Sequence, residues 1–196
     1  MSPAATVDLV VFDLDGTLLD SDRALADAFV ALGVPPERVT YGHVIADECR
    51  RLGLELDDYL AAYDTSSAQP FPGVESLVAA VPRWAVCSNK HPRSGRLELA
   101  RLGWSPEGAW FADAFDGPKR LTPVLEGCGA TPDRVLYVGD TDHDRACAAE
   151  VGCRFLLAGW NPRAARRPGD DVAEHPLEVI ERVDPTGRYP AEWGSI

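Results

Sequence analysis

Four short stretches of the 196-residue chain carry side chains that could do chemistry together. An apolar run, Leu9-Val10-Val11-Phe12, stops at Asp13; a second acid, Asp15, comes one residue later, followed by Gly16 and Thr17. Another apolar run ends in Ser88-Asn89-Lys90, and a third ends in Gly139-Asp140-Thr141-Asp142-His143-Asp144. Lys119 follows Gly117-Pro118. Carboxylates brought close repel one another, so a cluster of them needs a cation. Asp side chains and backbone carbonyls are hard oxygen ligands, suited to magnesium rather than zinc. A magnesium ion would neutralise the cluster and also hold a phosphate. Gly16 would let backbone N–H groups approach a substrate oxygen closely. Ser88 and Lys119 would offer a hydroxyl and a positive charge to phosphoryl oxygens.

These side chains need a scaffold that delivers them to one place. The chain alternates short apolar runs with helix-like segments. Strands are expected at residues 9–12, 84–87, 135–138 and 154–157, with a weaker one near 109–112, and helices at 93–102, 121–128 and 144–151. Short buried strands alternating with helices imply an α/β, Rossmann-like fold: a parallel sheet covered by helices on both faces, three layers in all. Such sheets bind ligands beyond the C-terminal ends of their strands. Asp13, Asp15, Ser88 and Asp140 would meet along that edge.

The alternation breaks once. Residues 23–32, 41–52 and 56–62 read as helices, punctuated by Gly33-Val34-Pro35-Pro36 and by residues 65–72. A small helical insertion, residues 22–70, is therefore expected within a core domain of residues 1–21 and 71–196. Asp20 and Asp22 fall at its hinge. Residues 74–81 return as a core helix. The tail after Trp160, with its many Arg, Pro and Gly residues, is expected to be weakly structured.

The chain carries 19 Lys and Arg against 31 Asp and Glu, a formal charge of −12. That argues against nucleic acid as the main partner but leaves room for a small anion held by a metal or a few placed cations. No apolar run approaches the roughly 20 residues of a membrane-spanning helix. MSPAATVD has no basic segment followed by an apolar core, so no secretory signal is expected. Cys49, Cys87, Cys128, Cys147 and Cys153 lack paired zinc-ligand spacing and read as free thiols of a cytoplasmic protein, with Cys87 in the core.

The motifs also resemble a known family. Asp13-Leu14-Asp15-Gly16-Thr17 looks like the first signature of the haloacid dehalogenase superfamily of phosphohydrolases. Cys87-Ser88-Asn89 looks like the second, Lys119 fits the third, and residues 139–144 fit the fourth. The resemblance runs from about residue 8 to residue 159, with the motifs in family order. It implies that Asp13 attacks phosphorus to form an aspartyl-phosphate. Asp15 would protonate the leaving oxygen and then activate water. Asp13, the Asp15 carbonyl and Asp140 would hold Mg2+, with Asp144 supporting that shell directly or through water. Lys119, Ser88, Asn89, Gly16 and Thr17 would bind the phosphoryl group. Dehalogenases of the superfamily lack an acid at the Asp15 position, so the resemblance is to its phosphatases. Ser88-Asn89-Lys90 before His91-Pro92 is similar to the phosphoglycolate-phosphatase-like branch. The insertion corresponds to the helical cap of many members, though it is shorter. The implied substrate is a small phosphorylated metabolite. One departure concerns Lys119, which is followed by Arg120-Leu121-Thr122-Pro123 rather than directly by proline, leaving Arg120 as a substitute.

Other readings compete. A sugar-phosphate mutase would use the same aspartyl-phosphate. A non-enzymatic, phospho-accepting receiver domain also combines acids, Ser or Thr, Lys and magnesium, but it accepts phosphate at another strand's end and has no cap. An EF-hand starting at Asp140 needs glycine at its sixth position and glutamate at its twelfth, where the chain has Arg145 and Val151. Of the remaining polar residues, His91 and His143 read as loop histidines without a direct role. Arg50 and Arg51 read as an exposed helix face, and Asp142 as a loop or capping residue. Lys90 reads as solvent-facing or as a site residue. The chain has only two lysines, Lys90 and Lys119, and both lie at or beside motifs.

Overall fold

Strand β1 (Leu9–Phe12) is apolar at every position because both of its sides are covered. Val10 and Phe12 enter one hydrophobic cluster, while Leu9 and Val11 enter another. The same two-sided burial governs its neighbours β4 (Trp84–Cys87) and β6 (Val135–Gly139), which lie on either side of β1. The computed structural model describes residues 6–183. The ends of the expected core domain, 1–5 and 184–196, lie outside the described residues, as does the start of the N-terminal stretch read for a signal.

Beyond β4 lies β5 (Ala109–Trp110), and beyond β6 lie β7 (Arg154–Ala158) and β8 (Val172–Ala173), giving the order β5-β4-β1-β6-β7-β8. All pairings in this sheet are parallel. Helices α4 (Val74–Ala80), α5 (Pro92–Arg101) and α8 (Glu178–Val183) bury side chains in the first cluster. Helices α6 (Thr122–Cys128) and α7 (Asp142–Val151) do so in the second. The result is the expected three-layer α/β arrangement.

Register delivers the site. Phe12 stands opposite Val86 on one side and Val138 on the other. The next residues of all three strands therefore leave the sheet at the same edge, and the Asp13 N–H still donates to the Val138 carbonyl at 2.9 Å.

Between β1 and β4 stand α1 (Asp22–Ala31), α2 (Ile45–Leu52) and α3 (Leu56–Ala62). A two-stranded antiparallel ladder, β2 (Leu19–Asp20) with β3 (Gln69–Pro70), closes the base of this insertion. Phe29 of α1 packs on Tyr59 of α3 at 4.6 Å between ring centroids. The apolar residues of the insertion are continuous with the α4 side of the core.

Two expectations need correction. The helix expected from residue 41 begins at Ile45, because Val44 is extended and the preceding residues form a loop over the site. The tail after Trp160 is organised up to Val183: Ala173, Val179 and Val183 are buried in the core, although sparse apolar residues among Arg and Pro give no periodic signal. Among the described residues, no helix is long and apolar enough to cross a membrane.

Val179 is fully buried on α8. Val179→Ala is expected to cost roughly 1–3 kcal/mol through the cavity it leaves. Urea denaturation measures this, and an unchanged midpoint would place α8 outside the folded core.

Candidate active site

Asp13 leaves β1 with one oxygen fixed. Its Oδ1 accepts from the Leu14 N–H at 2.7 Å and lies 2.8 Å from Lys119 Nζ. Among the described residues, its Oδ2 takes no hydrogen bond. Asp140, one residue past β6, is held from two sides. The Thr17 hydroxyl donates to its Oδ1 at 3.2 Å, and Asn161 Nδ2 donates to its Oδ2 at 2.9 Å. Asn161 also donates to the Gly16 carbonyl at 2.9 Å, which ties the loop after β7 to the loop after β1. Gly16 has φ +80°, and a Cβ there would sit 2.4 Å from Asp140 Oδ2. Only glycine meets both the backbone conformation and the close approach.

Lys119 bridges two carboxylates. Its Nζ lies 2.8 Å from Asp13 Oδ1 and 2.7 Å from Asp144 Oδ1. Asp144 Oδ1 also receives the Tyr137 hydroxyl at 2.7 Å, and Oδ2 receives the Thr141 N–H and hydroxyl at 2.9 and 2.6 Å. Asp144 thus closes a capping box at the start of α7 while gripping Lys119. Gly139 lets it come close, since a Cβ there would lie 2.4 Å from the Asp144 Cγ. Burial alone would lower the Lys119 ammonium, but Asp13 and Asp144 hold it well above its ordinary range. Burial likewise opposes ionisation of Asp144, yet Lys119 and the surrounding donors keep it below the usual carboxylate range.

Asp13, Asp15, Gly16, Ser88, Asn89, Lys119 and Asp140 line one cavity of about 470 Å³. Thr17 and Asp144 lie behind its wall, both fully buried. Asn89 joins the two parts of the molecule. Its Oδ1 accepts from the Lys119 N–H at 2.7 Å, and its Nδ2 donates to the Gly42 carbonyl of the insertion at 3.2 Å. Leu25, Phe29, Val39, Tyr41 and Ile45 of the insertion form the facing, mainly apolar wall.

The carboxylates fit a hard divalent cation. Asp13, Asp140 and Asp144 each offer an oxygen within 4.8 Å of the others. Burial pushes Asp13 up to about 7 despite Lys119 beside it. Burial, then Asp13 and Asp144, pushes Asp140 up to about 8. These acids resist ionising together until a cation joins them. Both Asp144 oxygens already carry two interactions each, whereas Asp13 and Asp140 keep open acceptor sites and face the cavity.

Lys90 is buried, not solvent-facing, and reaches Asp15. His91 caps α5 and His143 lies 3.2 Å from the Lys119 carbonyl, so both support motif loops. Arg50 pairs with Asp47, and Arg51 pairs with Glu48. Asp142 starts α7 and pairs with Arg145 and Arg167. Arg120 pairs with Glu150 on the surface, away from the carboxylates. Cys87 is a core thiol. The motifs gave no notice of Asn161, Tyr63 or Glu98. Tyr137, a hydroxyl in an otherwise apolar strand, was a visible signal.

Residues 7–152 match the model of the haloacid dehalogenase-like hydrolase family. The chain belongs to that family. A Xylella fastidiosa phosphoglycolate phosphatase is 31% identical over 79% of this chain and 81% of its own length, which places the chain on the family's phosphatase side. N-acetylmuramic acid 6-phosphate phosphatase of Pseudomonas aeruginosa is 28% identical, covering 89% of this chain and 94% of that protein. The fold is shared with CbbY from Rhodobacter sphaeroides, solved in complex with phosphate, at a TM-score of 0.69 and 20% identity, over 88% of this chain and 96% of that one.

Asn161 lines the cavity and holds Asp140. If Asp140 holds a divalent cation, Asn161→Ala is expected to weaken its binding about 10–100-fold, as loss of a group that orients a ligand typically does. Calorimetric titration of the folded variant tests this, and an unchanged affinity would remove Asn161 from the metal's support.

Proposed function

We propose that the protein is a magnesium-dependent phosphohydrolase that cleaves a small phosphorylated metabolite through an aspartyl-phosphate on Asp13. The observation that carries this reading is the asymmetry of Asp13: Oδ1 is held by Leu14 and Lys119, and Oδ2 is unengaged in a carboxylate that faces the cavity. An oriented carboxylate with one free oxygen is what in-line attack on phosphorus requires. Asp13, the Asp15 carbonyl and Asp140 would hold Mg2+. When bound, it supplies positive charge for the phosphoryl oxygens.

In the first step Asp13 Oδ2 forms a bond to phosphorus as the bond to the leaving oxygen breaks, and Asp15 gives that oxygen a proton. In the second step Asp15 takes a proton from water, water oxygen attacks phosphorus, and the acyl phosphate breaks to free Asp13 and release phosphate. Lys119 and Ser88 face the transferring group. Residues 22–70 act as the cap, and the cavity of about 470 Å³ beneath them suits a compact ester better than a folded phosphoprotein. The relatives' names, phosphatases of phosphoglycolate and N-acetylmuramic acid 6-phosphate, support the same size class. All five cysteines are free thiols, which supports a reducing, cytoplasmic setting.

Phosphate release across a panel of phosphorylated metabolites tests the reading and separates hydrolysis from mutase chemistry. Asp13→Asn is expected to nearly abolish release while keeping the fold, and chelation to remove activity that Mg2+ restores. Full activity after exhaustive chelation would rule the mechanism out.

Lys119→Ala is expected to cost about 2.7–4 kcal/mol of transition-state stabilisation, the worth of one oxyanion contact. Arg120→Ala should cost far less, because Arg120 faces Glu150. Kinetics of the two variants in the opposite order would move the phosphoryl-binding cation to Arg120.

A further inference from the structure

Asp15 is also held by a single oxygen. Its Oδ1 receives the Ser21 hydroxyl at 2.6 Å and Lys90 Nζ at 2.6 Å. Among the described residues, its Oδ2 takes no hydrogen bond. Lys90 donates to Asp15 Oδ1 at 2.6 Å and to the Tyr63 oxygen at 2.9 Å, and it forms an ion pair with Glu98 Oε2 at 3.1 Å, an oxygen that takes no hydrogen bond among the described residues. Tyr63 in turn donates its hydroxyl proton to Glu98 Oε1 at 2.6 Å, closing a triangle. The Lys90 side chain is 3% exposed and that of Glu98 is 0% exposed. Burial alone would lower the Lys90 ammonium, but Asp15 and then Glu98 hold it above its ordinary value. Burial pushes Glu98 up to about 7 against the pull of Lys90.

A buried ion pair is a poor source of stability, since desolvation offsets the attraction. The chain uses 17 Arg and places one of its two lysines here. A compact ammonium sits between two carboxylates and a phenol here, a space that a planar guanidinium fork does not match. The groups come from five places: the loop after β1, the turn into α1, the end of the insertion, the loop after β4 that carries Lys90, and α5.

We propose that Lys90, clamped by Glu98 and the Tyr63 hydroxyl, is a positioning residue that fixes which Asp15 oxygen meets the leaving group. The proposal rests on the phosphohydrolase reading above. With Oδ1 saturated by Lys90 and Ser21, Oδ2 is the oxygen that carries the proton to the substrate. Loss of the clamp leaves Asp15 in place but free to rotate, and proton delivery suffers.

That defect has a signature. A poor leaving group, such as an alkoxide, needs its proton in the transition state, whereas p-nitrophenolate leaves without one. The test compares kcat and KM of wild type, Lys90→Met, Glu98→Gln and Tyr63→Phe on an alkyl phosphate, phenyl phosphate and p-nitrophenyl phosphate, with Mg2+ present. For Lys90→Met, kcat on the alkyl ester is expected to fall about 100-fold or more, the lower end of what general acid catalysis supplies, against about 10-fold or less on p-nitrophenyl phosphate, with KM little changed. Glu98→Gln and Tyr63→Phe should show smaller losses graded the same way, and they carry the test if Lys90→Met does not fold. A loss equal across the three esters, or confined to KM, overturns the positioning role and leaves the hydrolase reading intact. No phosphate release by wild type from any ester overturns that reading and this proposal with it.

Discussion

Each of the two lysines in this protein holds a pair of carboxylates, and the site is built around that division. Lys119 stands between Asp13 and Asp144, and Lys90 stands between Asp15 and Glu98. In each pair one acid faces the cavity and the other is fully buried behind the lysine. The buried acid fixes the ammonium, and the ammonium fixes one oxygen of the acid in front. Both front acids keep their second oxygen unengaged. An arginine in either place would present its donors in one plane and leave some of these acceptors unmet.

The parallel sheet makes this arrangement possible. Strands β1, β4 and β6 end in register, so Asp13, Ser88 and Asp140 come forward without long loops to carry them. Asp144 reaches Lys119 because α7 starts directly past β6 and uses the same carboxylate for its capping box. One side chain thus caps a helix and orients a site lysine, coupling local folding to chemistry. The same economy is seen at Asn89, whose two ends hold the Lys119 backbone and the insertion loop at Gly42. A shift of that loop is felt at the lysine.

The sheet, its main helices and the front acids were legible in the sequence because each is announced locally. Strand β1 reads as buried on both faces, and the polar residues follow at its end. What the sequence hid depends on contacts between distant residues. Glu98 sits in an ordinary amphipathic helix, and only the packing of α5 shows it facing Lys90. Asn161 follows a strand in a Gly-Trp-Asn-Pro turn, and its role appears only when the loop after β7 meets Gly16. Strands β2, β3 and β8 are two residues each, too short for a period to be read. Lys90 shows the limit most clearly: next to a motif in the sequence, it could as well have faced water, and burial decides the matter.

The electrostatic balance of the pocket also bears on how a substrate enters. Asp13, Asp15 and Asp140, with Asp144 and Glu98 behind them, are set against Lys90 and Lys119, both already shared; elsewhere the lining adds Asp22 and Glu48 against Arg163. Burial answers part of this imbalance by raising Asp13, Asp140 and Glu98 towards neutrality. A phosphate dianion meets a pocket that is protonated or negative, not positive, and neither state welcomes it. On the proposed function, Asp13 and Asp140 would hold a divalent cation, which would favour their ionised forms and supply positive charge for a phosphate. An ionised Asp13 is what the proposed nucleophilic role requires. On the proposed function this balance would favour metal before ester, because Lys90 and Lys119 are already shared and Arg163, which also lines the cavity, pairs with Asp22.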